Sequence, residues 1–333
     1  MLRIAHLHDA QAACDVSRYL GFLGENALLG ATASHRAVAV PRYAAGAARL
    51  AADVIVSHLP LSVKSLPGLA ALRARHPRAT LVHVEHIHCE GTTVTARHRG
   101  HRRTVLRTGY ALFDHVIALS PAQADWMRRH ALVAAGQLSV IPTFAQLDAF
   151  AALAAPEGPV RRIGAIGALT RQSGFDILIE AFGFVSDPDA RLDIYGDGPW
   201  RAELRAMARS DTRVRLHGRS TRLAALRPSD AIAMPSRWQP SALAAHEARA
   251  AGRRLLHSGR DGLAEVSGRG SVMVSDMSVA AWSRALSDVL AEPAPAPRAS
   301  LEAPCEATVQ GWQALLDRLA SQPRSSSSTF ATI

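Results

Sequence analysis

Four stretches of the chain put chemically useful residue types at useful spacings. In Gln239-Pro240-Ser241-Ala242-Leu243-Ala244-Ala245-His246-Glu247, Pro and Ser precede an Ala/Leu run, which predicts a helix opening at Ser241. The first N–H groups of a helix lack intrahelical acceptors and lie at the positive end of its dipole. Ser241, Ala242 and Leu243 would therefore offer backbone donors to a phosphate. Glu247 follows Gln239 by eight residues, about two turns further along. A second stretch, Gly167 to Gly174, closes a strand-like run with a loop in which Arg171 is the only cation; glycine there lets backbone approach a ligand closely. A third, Gly196-Asp197-Gly198-Pro199, permits a tight strand-to-helix turn, although the same turn serves as an ordinary connection in any alternating fold. The fourth is His83-Val84-Glu85-His86-Ile87-His88-Cys89-Glu90. A neutral imidazole at His86 would bond a hydroxyl or a carbonyl as charge develops. His83, His86, His88, Cys89 and Glu90 are equally zinc-ligand types. In an extended chain, though, His86 and His88 share one face and His83 takes the other. A polar strand end with no further role is the third reading.

These stretches need a scaffold, and alternating patterns supply one. Arg3–Leu7, Asp53–Ser57, Thr80–Val84 and Val116–Leu119 are short, apolar and rich in Val and Ile, with Ala/Leu-rich helical stretches such as 68–75 and 121–130 between them. Ser120 before Pro121 is a helix start with Pro in the first turn. Buried, near-continuous strands alternating with helices imply a parallel sheet. The first half looks shortened, with few residues between the first strand and Asp53, and His8-Asp9-Ala10-Gln11-Ala12-Ala13 holds no glycine. The Pro-bearing stretch 151–159 predicts a domain boundary near residue 155. Alternation then resumes: strands at 163–166, 191–195, 214–217, 231–234 and 253–257, helices at 174–185, 200–208 and 241–251. A Pro-rich linker at 291–298 precedes a helical pattern over 302–319, with Val309, Trp312, Leu315, Leu316 and Leu319 on one side. The expected organisation is 1–155, 156–290, a linker with a C-terminal helix at 291–320, and a disordered tail at 321–333. By the rule for doubly wound sheets, ligands sit beyond the carboxyl ends of the strands.

Composition narrows the classes. Hydrophobic residues at 48% and charged residues at 20% describe an ordinary globular chain, and no apolar run approaches the roughly 20 residues that span a bilayer. Three widely spaced cysteines form no disulfide framework, so a reducing, cytoplasmic setting is expected. The net charge of +10 calls for an anionic partner or a solvated basic face. Aromatic residues at 5%, not interleaved with the basic ones, argue against nucleic acid.

The order and spacing of the stretches from Gly167, Leu192 and Pro235 resemble the donor domain of group 1, family-4 glycosyltransferases, the type found in polysaccharide and lipopolysaccharide biosynthesis. That resemblance is good over residues 160–270 and loose before them. It implies the GT-B fold, an α/β architecture of two Rossmann-like doubly wound domains facing across a cleft: acceptor side first, nucleotide-sugar donor side second. It implies donor contacts from Gly167, Arg171, Gly196, Asp197, Gly198, Ser241, Ala242, Leu243 and Glu247, with Glu247 on the ribose hydroxyls. Gln239 stands where the family usually has the glutamate that touches the donor sugar, and His86 stands where many members have a histidine near sugar and acceptor. Those two are the expected catalytic residues. The family's usual Arg and Lys fall on Ala168 and Ser173, so Arg171, Arg237 or Arg219 would have to neutralise the diphosphate.

The expected activity is transfer of a hexosyl-type unit, with retention, from a nucleotide sugar to a lipid-linked or polysaccharide acceptor. No cofactor or metal is expected, because helix N–H groups and cations would do the metal's work. The cluster Arg97, His98, Arg99, His101, Arg102, Arg103 and Arg107 would face an anionic membrane, placing the protein on the inner face; a solvated helix face is its other reading. The altered positions also fit a catalytically lapsed relative that regulates another transferase. A sugar-nucleotide epimerase would need paired acid/base carboxylates, and no convincing pair is visible.

Overall fold

β1 (Leu2–Asp9), β2 (Ala33–Val40), β3 (Val54–Ser57), β4 (Thr80–Val84), β5 (His115–Ala118) and β6 (Leu138–Val140) form one parallel sheet in the order β2-β1-β3-β4-β5-β6. β7 (Arg162–Ile166), β8 (Arg191–Tyr195), β9 (Val214–Gly218), β10 (Ala231–Met234), β11 (Arg254–His257) and β12 (Ser271–Met273) form a second, in the order β12-β11-β10-β7-β8-β9. The computed structural model describes residues 1–10, 14–94, 99–266, 268–293, 296, 298, 300 and 302–321. Arg97 and His98 of the basic cluster, residues 11–13 after the first strand, and the tail from 322 lie outside the described residues.

β3, β5 and β10 are buried along their whole length, which is why they read as unbroken apolar runs. β2 escaped that reading for the opposite reason. It is an edge strand whose Ser34, Arg36, Ala37 and Ala39 are exposed, so polar residues interrupt its pattern. With the helix Cys14–Glu25 it fills the stretch between the first strand and Asp53, and the first unit is not shortened there.

The chain divides into two compact units: residues 1–145 with the last helix from Ala303, and residues 146–302. The break precedes the Pro-bearing stretch because 146–155 is tied to the second unit. The helix Asp148–Ala151 packs against the helix Leu243–Ala250, and Arg253 Nη1 donates to the Ala154 carbonyl at 2.8 Å. Arg298 donates to the carbonyls of Ala151 and Leu153 in the same way. The last helix, Glu302–Ser321, is no separate segment; it packs on the first unit. Val309, Trp312, Leu315 and Leu316 are buried, Thr308 Oγ1 donates to the Pro142 carbonyl at 3.0 Å, and Trp312 Nε1 donates to Tyr19 Oη at 2.6 Å. Fully burying side chains of this size contributes about 1.5–3 kcal/mol each. Among the described residues no helix is long and apolar enough to cross a membrane.

Ser120 caps its helix as its sequence predicts, accepting from the Gln123 N–H at 3.2 Å. In the second unit, Trp282 of the helix Val279–Leu290 and Phe175, Leu178, Ile179 and Phe182 of the helix Phe175–Phe182 enter one core with β7 and β8.

Candidate functional site

In the second sheet the direction of strand order reverses between β7 and β10, and the loops leaving these two strands, with the one leaving β8, carry the donor residues read from the sequence. Backbone hydrogen bonds lace the loops after β7 and β8. Gly167 N–H donates to the Tyr195 carbonyl at 3.0 Å, Leu169 N–H to that of Asp197 at 3.0 Å, and Trp200 N–H to that of Leu169 at 2.9 Å. Gly196 has φ +151°, and a Cβ there would collide with the Gly167 carbonyl oxygen. Gly174 has φ +69°, with the Pro235 carbonyl oxygen where its Cβ would stand. Gly167, Gly196 and Gly174 therefore bring three loops together by letting main chain touch main chain. Asp197 turns its carboxylate onto the Gly198 N–H at 2.9 Å and lies 3.6 Å from both Arg201 and Arg219.

The helix expected from Ser241 begins two residues later, at Leu243. Ser241 Oγ accepts the Leu243 N–H at 3.2 Å, so one expected phosphate donor already has a partner. The Gln239 side chain folds onto the same turn, Nε2 donating to the Ser241 carbonyl at 3.1 Å. Its backbone is clamped on both sides: its N–H donates to Asp261 at 2.9 Å, and its carbonyl accepts from Gly262 at 2.9 Å. A glutamate at 239 could not make the bond to the Ser241 carbonyl, because a carboxylate only accepts. Glu247 is buried inside the helix packing and takes a hydrogen bond from Arg222 Nη1 at 3.0 Å. Arg222, from the helix Arg222–Leu226, has no sequence signal connecting it to Glu247.

The cations sort clearly. Arg237 is bound by both oxygens of Asp176, at 2.8 and 2.7 Å, and also donates to the Arg171 carbonyl. The carboxyl of Asp176 is held below its usual range, Arg237 overcoming the effect of partial burial. Arg237 is thus a fastener between loops and not a spare charge. Arg219 is 89% exposed and stands beside Asp197. Arg171 is exposed and has no carboxylate within ion-pair distance among the described residues. Ala168 and Ser173 are tied to each other, the Ser173 hydroxyl donating to the Ala168 carbonyl.

The first unit builds its candidate group differently. β4 ends at Val84, and the turn after it is organised by the buried carboxylate of Glu85. Glu85 Oε1 accepts the backbone N–H groups of Ile87 and His88 at 2.7 and 2.8 Å, and Oε2 accepts Tyr110 Oη–H at 2.8 Å. Burial opposes its charge, but His88, His83 and the backbone donor outweigh burial and hold this carboxyl far below its usual range. Gln123 Nε2 closes the turn from below, donating to the carbonyls of Glu85 and His88.

The three histidines of this stretch go three ways. His83 faces Glu85 at 3.4 Å, His88 Nε2 donates to the Leu61 carbonyl at 3.0 Å, and His86 Nε2 meets His58 Nδ1 at 2.9 Å. Among the described residues no three His, Cys, Asp or Glu side chains are grouped to hold a metal ion. Beyond His86 the contacts continue: His58 Nε2 to His6 Nδ1 at 3.0 Å, then His6 Nε2 to His35 Nδ1 at 2.9 Å. His35 and His6 lie on β2 and β1, and His58 and His86 just after β3 and β4, so the row follows four neighbours in the sheet order. Burial pushes His86 and His35 down to about 4 and takes His6 and His58 well below their ordinary range, so all four rings are neutral at pH 7. Tyr19 lies edge-on to His58 and His86, and Trp312 edge-on to His6 and His35.

Both units match known families. Residues 160–292 match the model of glycosyl transferases group 1, and residues 8–149 that of glycosyltransferase family 4. The chain therefore belongs to the group 1, family-4 glycosyltransferases of the GT-B type, enzymes that use a nucleotide-sugar donor. It is similar in fold to HepE of Anabaena, solved with UDP and glucose: 14% identity, 96% of this chain and 95% of that one covered, TM-score 0.68. It is similar also to sucrose-phosphate synthase of Thermosynechococcus elongatus, at 21% identity, 96% and 98% coverage and TM-score 0.69. A third is the lipopolysaccharide outer core galactosyltransferase WaaB, at 11% identity, 96% and 98% coverage and TM-score 0.59. No curated protein sequence matches the chain.

Proposed function

We propose that this protein transfers a hexosyl unit, with retention, from a uridine-diphosphate sugar to a lipid-linked or polysaccharide acceptor. The observation that carries the donor assignment is the convergence of three loops at the switch point of the second sheet, with a helix N-terminus in the third. Anabaena HepE, which shares the fold, was solved with UDP-glucose, and this supports the choice of uridine. The donor diphosphate lies against the first turn of the helix Leu243–Ala250, where Ala244 lacks an intrahelical acceptor by position. Arg171 supplies the cation that Ala168 and Ser173 do not. Preorganised charge of this kind is commonly the largest single catalytic contribution, about 3–4 kcal/mol for one well-placed donor. Gln239 positions the turn that carries the phosphate donors, and Glu247 with Arg222 takes the ribose hydroxyls. His86, on the first unit, is the acceptor-side group. The reaction needs no metal or cofactor in this reading. The basic residues at 99–107 lie along the helix Arg99–Tyr110 and suit an anionic membrane face near a lipid-linked acceptor.

A second reading, a lapsed transferase that partners an active one, is favoured by Ala168, Ser173 and Gln239 standing where charged groups are usual. Calorimetry against UDP, GDP, ADP and their sugar conjugates separates the two. Saturable binding of UDP and a UDP-sugar, weakened at least tenfold in Glu247→Gln, supports the transferase. Absence of binding to every nucleotide would transfer the case to the lapsed reading.

A further inference from the structure

A neutral imidazole has one N–H and one bare nitrogen, so a hydrogen bond between two such rings fixes both tautomers. Three such bonds in series leave the row His35–His6–His58–His86 only two arrangements. Either every ring carries its proton on Nδ1, or every ring carries it on Nε2.

The far end of the row decides between them. His35 Nε2 is buried and has no hydrogen-bond partner among the described residues. If it carried a proton, that proton would be an orphaned buried donor, the rarer and costlier defect; a bare nitrogen is better tolerated. His35 is therefore protonated on Nδ1 and donates to His6. His6 in turn donates to His58 through Nδ1, and His58 donates to His86 through Nδ1. His86 accepts on Nε2, and its own proton resides on Nδ1.

We propose that His35, His6 and His58 are positioning residues that lock His86 in its Nδ1–H tautomer, so that the nitrogen left for a ligand is a hydrogen-bond donor and not a base. This rests on the reading of His86 as the acceptor-side group, and narrows its role. His86 donates to an oxygen lone pair of the substrate and does not remove a proton from the acceptor hydroxyl. The row is not a path for protons either, since its far nitrogen is buried and the rings stay neutral. Packing holds the rings in line: Tyr19 and Trp312 press edge-on from two helices, and Trp312 Nε1 is bonded to Tyr19 Oη.

Long-range proton–nitrogen spectra of the full chain, labelled at histidine and recorded at pH 7, test the lock directly, with His86→Gln assigning the signals. The expected spectrum shows a protonated Nδ1 and a bare Nε2 for His86. His35→Glu places an acceptor-only group at the far end, where the ring is partly exposed, and should reverse the row so that the His86 proton moves to Nε2. His58→Phe cuts the row and should leave His86 populating both tautomers. Either variant is informative if the other fails to fold. In release of UDP from UDP-glucose, both variants should lower kcat roughly tenfold, the value of about one hydrogen bond, with KM unchanged.

A proton on Nε2 of His86 in the unaltered chain overturns the proposal, as does a His86 tautomer indifferent to both variants. A lock seen in the spectra with unchanged kcat overturns the positioning role. Absence of UDP release by the unaltered chain would instead strike at the proposed function, and the spectra would still decide the lock.

Discussion

The two units hold their candidate groups by opposite means. In residues 146–302, main chain does the holding. Three loops leave neighbouring strand ends, bond to one another through N–H and carbonyl groups, and approach closely at Gly196 and Gly174. In the first unit, side chains do it. Glu85 gathers two backbone N–H groups and a tyrosine hydroxyl, and His86 ends a row of rings drawn from β1, β2 and the segments just after β3 and β4. A backbone-built site constrains residue type at a few positions and tolerates change elsewhere. A site built from side chains depends on every member and is sensitive to protonation.

The sharpest way to break the first kind is to add a single carbon. Gly174→Ala combines a left-handed backbone with a clash against the Pro235 carbonyl, and should lower stability by about 3 kcal/mol or more in urea unfolding. UDP binding should be lost with it. Destabilisation without loss of binding would show that the three loops need not converge.

The second kind should yield to acid. His35 and His86 have a pKa near 6.5 when unfolded and about 4 when folded, so between these values the unfolded chain binds more protons. Their contribution is whole above pH 6.5 and is lost as pH falls toward 4, by up to about 1.4 kcal/mol per pH unit for each ring. Unfolding midpoints measured from pH 7 to 4 should fall accordingly, and less steeply in His58→Phe. A flat profile would mean the rings take protons without leaving the folded state.

The smallest effect distinguishes two arginines joined by one hydrogen bond, Arg237 donating to the Arg171 carbonyl. Arg171→Ala should weaken UDP binding roughly tenfold with the thermal midpoint unchanged, because the side chain is exposed and holds nothing. Arg237→Ala should lower the midpoint, since it strands Asp176. Equal behaviour of the two would erase the distinction between ligand cation and fastener.

Much of the second unit was legible in the chain. Its strands are buried and apolar, and Gly167, Gly174, Gly196 and Gly198 stand where loops must turn or touch. The helix begins at Leu243, two residues later than its sequence predicts, with Ala242 as N-cap and the Ser241 hydroxyl accepting the Leu243 N–H from one position earlier. Arg222 was missed as the partner of Glu247, lying 25 residues away with no periodic relation to it. In the first unit, the edge strand β2 and the helix before it carried no clear pattern, and with them went His35 and Tyr19.

Local rules therefore decided what this chain's sequence could show by itself: alternating elements, two α/β units, glycines at strand ends and a helix opening shortly after Pro240. These follow from steric and hydrogen-bonding limits that act over a few residues. Only the tertiary structure decided which charges are spent and which remain, since Asp176 and Arg237 meet across 61 positions. It alone lined up His35, His6, His58 and His86, because strand order in a parallel sheet is not chain order, and neighbours there come from distant segments.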